Sequence, residues 1–310
     1  MLSFAMAYFI KNDTIMRYFF FIALLLWQTA LSAQTLNFKD ALAEGKVLVS
    51  VKSQGGHTGK CISVHFERLT DKPFRVKIPA GHIFECVDSA YQNIVVVKSE
   101  EFTLNNKKQF IKIEGLCCEA GNGSPFQNAV YHIGQLATGN LLKMAEFISD
   151  KQLWTVGDAQ TAIWCMTDSI QPAGISHPAL QGMACQLLGV PIPEYKMKYS
   201  ASTGSASSAS TGSATNASTV RRATPRPVLE KKPLSVEGDF SYYTKEDTEI
   251  SVLVKNEAGD TVRTIFDHQK QSIGMAKYSF YFKTSKLPQG NYEVILYAGD
   301  VAKKKIKVKY

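Results

Sequence analysis

From residue 47 onward apolar and polar residues alternate over short runs, and the runs at 47–52, 61–67, 74–78, 82–86, 94–98 and 110–114 read as strands. Gly55-Gly56, Asp71-Lys72-Pro73 and Asn105-Asn106 supply turn chemistry between them. Short strands at this spacing predict an antiparallel sandwich or a barrel-like sheet. One short helix is expected ahead of them, over FKDALAEG at 38–45. After residue 138 the period lengthens. Leu141, Leu142, Met144, Ala145 and Ile148 make a helical stripe, Asp158 is placed as the N-cap of AQTAIWCMTD, and Pro178 opens a third helix, ALQGMACQLLG, that stops before Pro191. Residues 34–195 are therefore expected to form an α+β domain, an antiparallel β-sheet followed by helices.

Residues 199–219 are almost entirely Ser, Ala, Thr and Gly, from which no core can be built. A disordered linker is accordingly expected over 196–233, basic in its second part through Arg221, Arg222, Arg226, Lys231 and Lys232. Alternation returns over 239–243, 249–255, 261–266, 277–283, 291–298 and 303–309. The segment 234–310 has the size and strand number of an all-β Ig-like sandwich. Its last strand puts Ile306 and Val308 on one face and lysines on the other, a pattern that discourages edge-to-edge pairing.

The apolar run at 18–27, YFFFIALLLW, follows Lys11 and Arg17 and precedes the small residues Thr29, Ala30, Ser32 and Ala33. It reads as a signal peptide over 1–33, with Met1 and Met16 both open as the start. The run is too short to span a bilayer, which needs about 20 apolar residues. The mature chain is expected to be secreted or held at the cell surface, with the periplasm an alternative, and to have no transmembrane segment after cleavage. The net charge of +8 is spread largely over the linker and the last strand, so no nucleic-acid partner is expected.

All six cysteines lie between residues 61 and 185. In an oxidising compartment they read first as disulfide formers, and Cys61, Cys86, Cys118, Cys165 and Cys185 are the disulfide candidates, with the connectivity left open. No metal site and no cofactor are expected, since zinc, nucleotide-binding and serine-hydrolase signatures are all absent.

Two motifs carry a more specific chemistry. Gly115-Leu116-Cys117-Cys118-Glu119-Ala120, followed by Ser124-Pro125, and Ala159-Gln160-Thr161-Ala162-Ile163-Trp164 together resemble the thioester domains of bacterial surface adhesins. The resemblance implies that Cys117 is the thiol and Gln160 the acyl donor of an internal thioester, with Ala162, Ile163 and Trp164 at the family's hydrophobic positions. On a helix Gln160, Ile163 and Trp164 lie at i, i+3 and i+4, so the amide shares a face with an apolar shield. Cys165 is turned about 140° away from Gln160, and Cys118 faces opposite to Cys117 on a strand.

The C-terminal segment resembles the Ig-like domain of flagellar hook caps and the C-terminal sorting domain of type IX secretion. The likeness rests on Asn256, Gly259 and Val262, on the turn at Leu287, Pro288, Gly290 and Tyr292, and on the lysine-rich end. These readings imply a surface-binding or adhesion-type protein, a head on a flexible stalk, whose partner is a surface protein or a glycan. The alternatives are a disulfide-bonded structural protein of the envelope and a secreted cysteine hydrolase or transferase using His57, His82 or His132 as base.

Overall fold

The structure is a computed structural model that describes residues 35–201 and 226–310. The signal segment and most of the expected linker lie outside the described residues. The fold is mostly β, built of several antiparallel sheets.

In the first part, β1 (Leu36–Asn37) and α1 (Phe38–Ala43) lead into β2 (Val47–Ser53), β3 (Thr58–Arg68), β4 (Arg75–Ile78), β5 (His82–Cys86), β6 (Ile94–Val96), β7 (Glu100–Thr103), β8 (Lys108–Cys117) and β9 (Val130–Leu136). Six of these close into a barrel in the order β2-β3-β8-β6-β5-β9, while β1, β4 and β7 form a separate three-stranded sheet. Alternate residues such as Ile62, Val64 and Phe66 of β3 are buried in the core, and all three residues of β6 are buried, so that this strand is covered on both faces. Then come α2 (Gly139–Asp150), α3 (Asp158–Thr167) and α4 (Pro178–Leu188). The middle helix, α3, packs against both other helices and against β8. Six of its residues are buried for that reason, far more than an amphipathic surface helix would bury.

Two details differ from the expected pattern. Asp158 does not cap α3; it is the first helical residue, and its Oδ2 accepts hydrogen bonds from the N–H groups of Ser176 at 2.8 Å and His177 at 2.6 Å. A carboxylate can satisfy only the donors that tertiary packing brings to it, and here those belong to the start of α4. Strands β1, β7 and β9, none of them among the expected runs, are the other departure.

The second part comprises β10 (Tyr195–Ala201), β11 (Leu229–Thr244), β12 (Thr248–Asn256), β13 (Thr261–Gln271), β14 (Gly274–Lys283), β15 (Asn291–Ala298) and β16 (Val301–Lys309). One sheet runs β10-β11-β14 and the other β13-β12-β15-β16, with every pairing antiparallel. Val236, Phe240, Phe280 and Phe282 of the first sheet share a core with Ile250, Val252, Val254, Val294, Leu296, Ile306 and Val308 of the second.

The linker drawn over 196–233 is too long at both ends. Tyr195, Met197 and Tyr199 alternate with lysines, and β10 uses that alternation to pair with β11 and bury Met197. At the other end Val228 and Leu229 pack into the barrel-and-helix core rather than the C-terminal one. The two cores are thus crossed: the chain enters the second through β10 and returns to touch the first before β11 proceeds.

Candidate functional site

The end of β8 and the face of α3 build the site. Gly115, Leu116 and Cys117 are buried, and Cys117 is aligned with Ile94 of β6. Gly115 is needed for this approach: a Cβ there would lie 2.4 Å from Cγ2 of Ile94 and 3.3 Å from Sγ of Cys61. The next residue, Cys118, donates its N–H to the carbonyl of Asn93 at 2.9 Å. Because main-chain groups alternate along an antiparallel strand, the N–H and C=O of Cys117 face the opposite edge. There they meet Gln160. Its Oε1 accepts from the Cys117 N–H at 2.9 Å, and its Nε2 donates to the Cys117 carbonyl at 2.8 Å.

This double bond of side chain to main chain brings together the two residues that the motifs single out. Gln160, Ile163 and Trp164 are all buried, with Trp164 4% exposed, so the shared apolar face is present. The Trp164 Nε1 is enclosed without a hydrogen-bond partner. Cys117 is completely inaccessible, and burial, followed by the proximity of Cys61, Cys118 and Glu119, pushes its thiol well above the ordinary range. Sulfur at this position is a protonated thiol at neutral pH.

The remaining cysteines have distinct places. Cys61 donates weakly to the carbonyl of Gly115 at 3.6 Å and is pushed up to about 12, chiefly by burial. Cys86 lies beside Tyr131, whose hydroxyl donates to the carbonyl of Gln92 at 3.0 Å. Cys118 faces Glu119 and Asp168, with burial the main cause of its raised pKa. Cys165 of α3 is pushed up to about 12, by burial first and by Cys185 of α4 second, and burial also raises Cys185. All six are free thiols, so the structure pairs none of the disulfide candidates Cys61, Cys86, Cys118, Cys165 and Cys185. Most act here as small apolar side chains in a dense core, the commonest environment of an unpaired cysteine.

Of the three histidines considered as a base, His82 is held between Phe38, at 4.6 Å, and Phe84, at 5.0 Å between ring centroids. Burial, and secondarily Lys39, lowers it to about 4. Burial also lowers His57. His132 is exposed on β9, opposite Glu85. Among the described residues no group of three His, Cys, Asp or Glu side chains is arranged to hold a metal ion.

A brace around Cys117 escaped sequence reasoning. Glu119 accepts from both the backbone N–H and the Nδ2 of Asn93, each at 2.7 Å, while Asn93 Oδ1 accepts from the Cys86 N–H at 2.8 Å. Asp168 Oδ2 accepts from the Ala120 N–H at 3.0 Å, and the Ala120 carbonyl accepts from the Leu229 N–H at 3.1 Å. The only advance signal was the acid two places after Cys117; Asn93 and Leu229 carry none. The strand end is thereby held by β6, by the end of α3 and by the returning segment. Compared with protein-family models, with curated proteins and with solved structures, the chain matches none.

Proposed function

We propose that this chain is an exported cell-surface binding protein whose head joins Cys117 and Gln160 in an internal thioester. In this reading the barrel and its three helices are an α+β head, and the two-sheet C-terminal part is an Ig-like module that spaces, anchors or sorts it, the type IX route being the sorting path that its end resembles. The single observation that carries the reading is the hydrogen-bonded pairing of the Gln160 amide with Cys117.

The chemistry follows from that pairing. Sγ of Cys117 attacks Cδ of Gln160, the C–N bond to Nε2 breaks, and the amide nitrogen leaves as ammonia with the thiol proton. Negative charge builds on Oε1 during the attack, where the Cys117 N–H already points, so the donor is in place before the reaction. Burial keeps water from the product. A primary amine on a surface protein would then attack the same carbon, forming an amide and returning the thiol. A glycan bound without covalent chemistry is the other partner class.

A second reading has its own support in the high pKa of Cys117: the amide would serve only to close the free edge of β8, in a structural envelope protein with no reactive bond. Intact mass of the exported protein separates the two. The thioester predicts a mass about 17 Da below that of the free thiol and amide, restored and exceeded on methylamine addition and absent in Cys117→Ala and Gln160→Ala. An unchanged mass with no methylamine uptake rejects it.

A further inference from the structure

We infer that the sheet β13-β12-β15-β16 carries a docking face for an acidic polysaccharide, centred on Lys307 and Lys309. The alternation of β16 builds it. Ile306 and Val308 enter the core between the two sheets, so Lys305, Lys307 and Lys309 lie on the opposite face, each exposed. Residues two apart on a strand are about 6.8 Å from one another, so these ammonium groups form a file roughly 14 Å long. Lys303 and Lys304, exposed just before it, continue the positive charge.

The neighbouring strands add to the file rather than neutralise it. Glu293 of β15 lies opposite Lys307 on one side and opposite Lys255 of β12 on the other. That carboxylate is engaged by Lys305 at 3.1 Å, and Asn291, opposite Lys309, is neutral. Among the described residues no carboxylate pairs with Lys255, Lys307 or Lys309; Lys255 lies 5.7 Å over the ring of Tyr297 instead. Protection of an edge accounts for lysines on β16. It does not account for Lys255, whose strand is paired on both sides.

At one end of the file the surface is concave. A cleft of about 570 Å³ is lined there by Lys255, Lys307 and Lys309, with Asn291 and Tyr195. Its two carboxylates are both engaged, Glu293 by Lys305 and Glu257 by the Nδ2 of Asn291. A cleft of this size admits a sugar-sized group, and the cations leading from it suit a linear chain of acids. Single-stranded nucleic acid also needs a series of exposed aromatic rings on which its bases stack. Here Tyr292 is buried and stacked on Tyr310 at 5.3 Å, Tyr297 lies beneath Lys255, and half-buried Tyr195 is one ring, enough for one sugar and not for successive bases. A bilayer surface cannot enter the cleft. A polysaccharide whose sugars carry carboxylate or sulfate groups places one acidic sugar in the cleft and the next ones along the file. It is a chemical class for the glycan partner proposed above, and its docking does not require the thioester.

The test measures binding of the full chain to a fluorescently labelled oligogalacturonate by anisotropy over a range of salt concentrations. An oligothymidylate of equal charge, phosphatidylserine vesicles and neutral dextran are the comparison probes. The oligogalacturonate is expected to bind most tightly and to weaken as salt rises. Combined Lys307→Gln and Lys309→Gln should cost about tenfold in affinity and lower the salt slope by about two, while Lys283→Gln with Lys286→Gln, exposed lysines of the other sheet and its following turn, changes affinity less than about twofold. Glu293→Gln, which removes the carboxylate beside the file, should tighten binding. No binding of the oligogalacturonate, equal losses in the two lysine pairs, weaker binding by Glu293→Gln, or tighter binding of the oligothymidylate or the vesicles overturns the inference. The lysine substitutions leave the mass signature at Cys117 and Gln160 unchanged, so the thioester stands or falls separately.

Discussion

Gln160 pairs with both main-chain groups of Cys117, accepting at 2.9 Å and donating at 2.8 Å, in the manner of a neighbouring strand. A helix side chain thus continues the hydrogen-bond ladder of β8 past the point where β3 has left it. The helix is thereby held at a defined height against the barrel, and the same contact sets the amide carbon beside the cysteine.

Replacing that donor with an acceptor should be costly. Gln160→Glu puts a carboxylate oxygen against the Cys117 carbonyl in a buried setting, and a loss of about 2–4 kcal/mol is expected at neutral pH. Burial raises the pKa of the introduced carboxyl in the folded state. The protonated form can still donate, so the loss shrinks below the ordinary carboxylate range and grows as pH rises through the raised value. Urea unfolding at pH 4.5 and pH 8 measures the difference; equal losses at both would show that the amide donor contributes little.

His82 makes the unsubstituted protein sensitive to acid. Its folded pKa, about 4, lies below its ordinary value of 6.5, so the unfolded chain takes up the proton first. Stability contributed by the neutral ring is complete above about pH 6.5 and is lost as pH falls toward 4, by roughly 3 kcal/mol at most. His82→Phe removes the titrating group from its place between Phe38 and Phe84, and the slope between pH 6.5 and 4 should flatten. An NMR titration that places the ring near 6.5 in the folded protein contradicts the assignment.

Gly115→Ala should destabilise through contact alone. The added methyl meets Cγ2 of Ile94 at 2.4 Å, and overpacking of this kind costs about 1–3 kcal/mol. Ile94→Ala removes the opposing methyl, so the pair of substitutions should cost less than the sum of the two alone. A double-mutant cycle by denaturant unfolding reads this coupling, and strict additivity is the unfavourable result.

Leu229 tests whether the crossed cores matter. It begins a strand of the C-terminal sheets yet is buried in the barrel-and-helix core, where its N–H bonds to the carbonyl of Ala120. Leu229→Ala should cost about 2–3 kcal/mol and loosen amide protection around Cys118 and Ala120 more than in β12 or β15. Hydrogen exchange followed by mass spectrometry distinguishes this from loosening centred on the C-terminal sheets.

Local pattern is what the sequence determines in this protein. The alternation at 47–52 and 61–67 became β2 and β3, and the stripe at Leu141, Met144, Ala145 and Ile148 became α2, because side-chain periods of two and 3.6 are properties of neighbouring residues. Where that signal was thin, elements were missed: Glu100–Thr103 has one apolar residue, and β9 leaves Val130 and Leu136 exposed. Both pair because neighbouring strands offer free hydrogen-bonding edges. Cys117 and Gln160 were legible as two motifs, but 43 residues separate them, and only the closure of the barrel and the burial of α3 on β8 make them hydrogen-bond partners. Asn93, Asp168 and Leu229 owe their roles to the same closure. Hydrogen bonds between distant residues depend on which surfaces the hydrophobic core brings into contact, and the tertiary structure alone decides that.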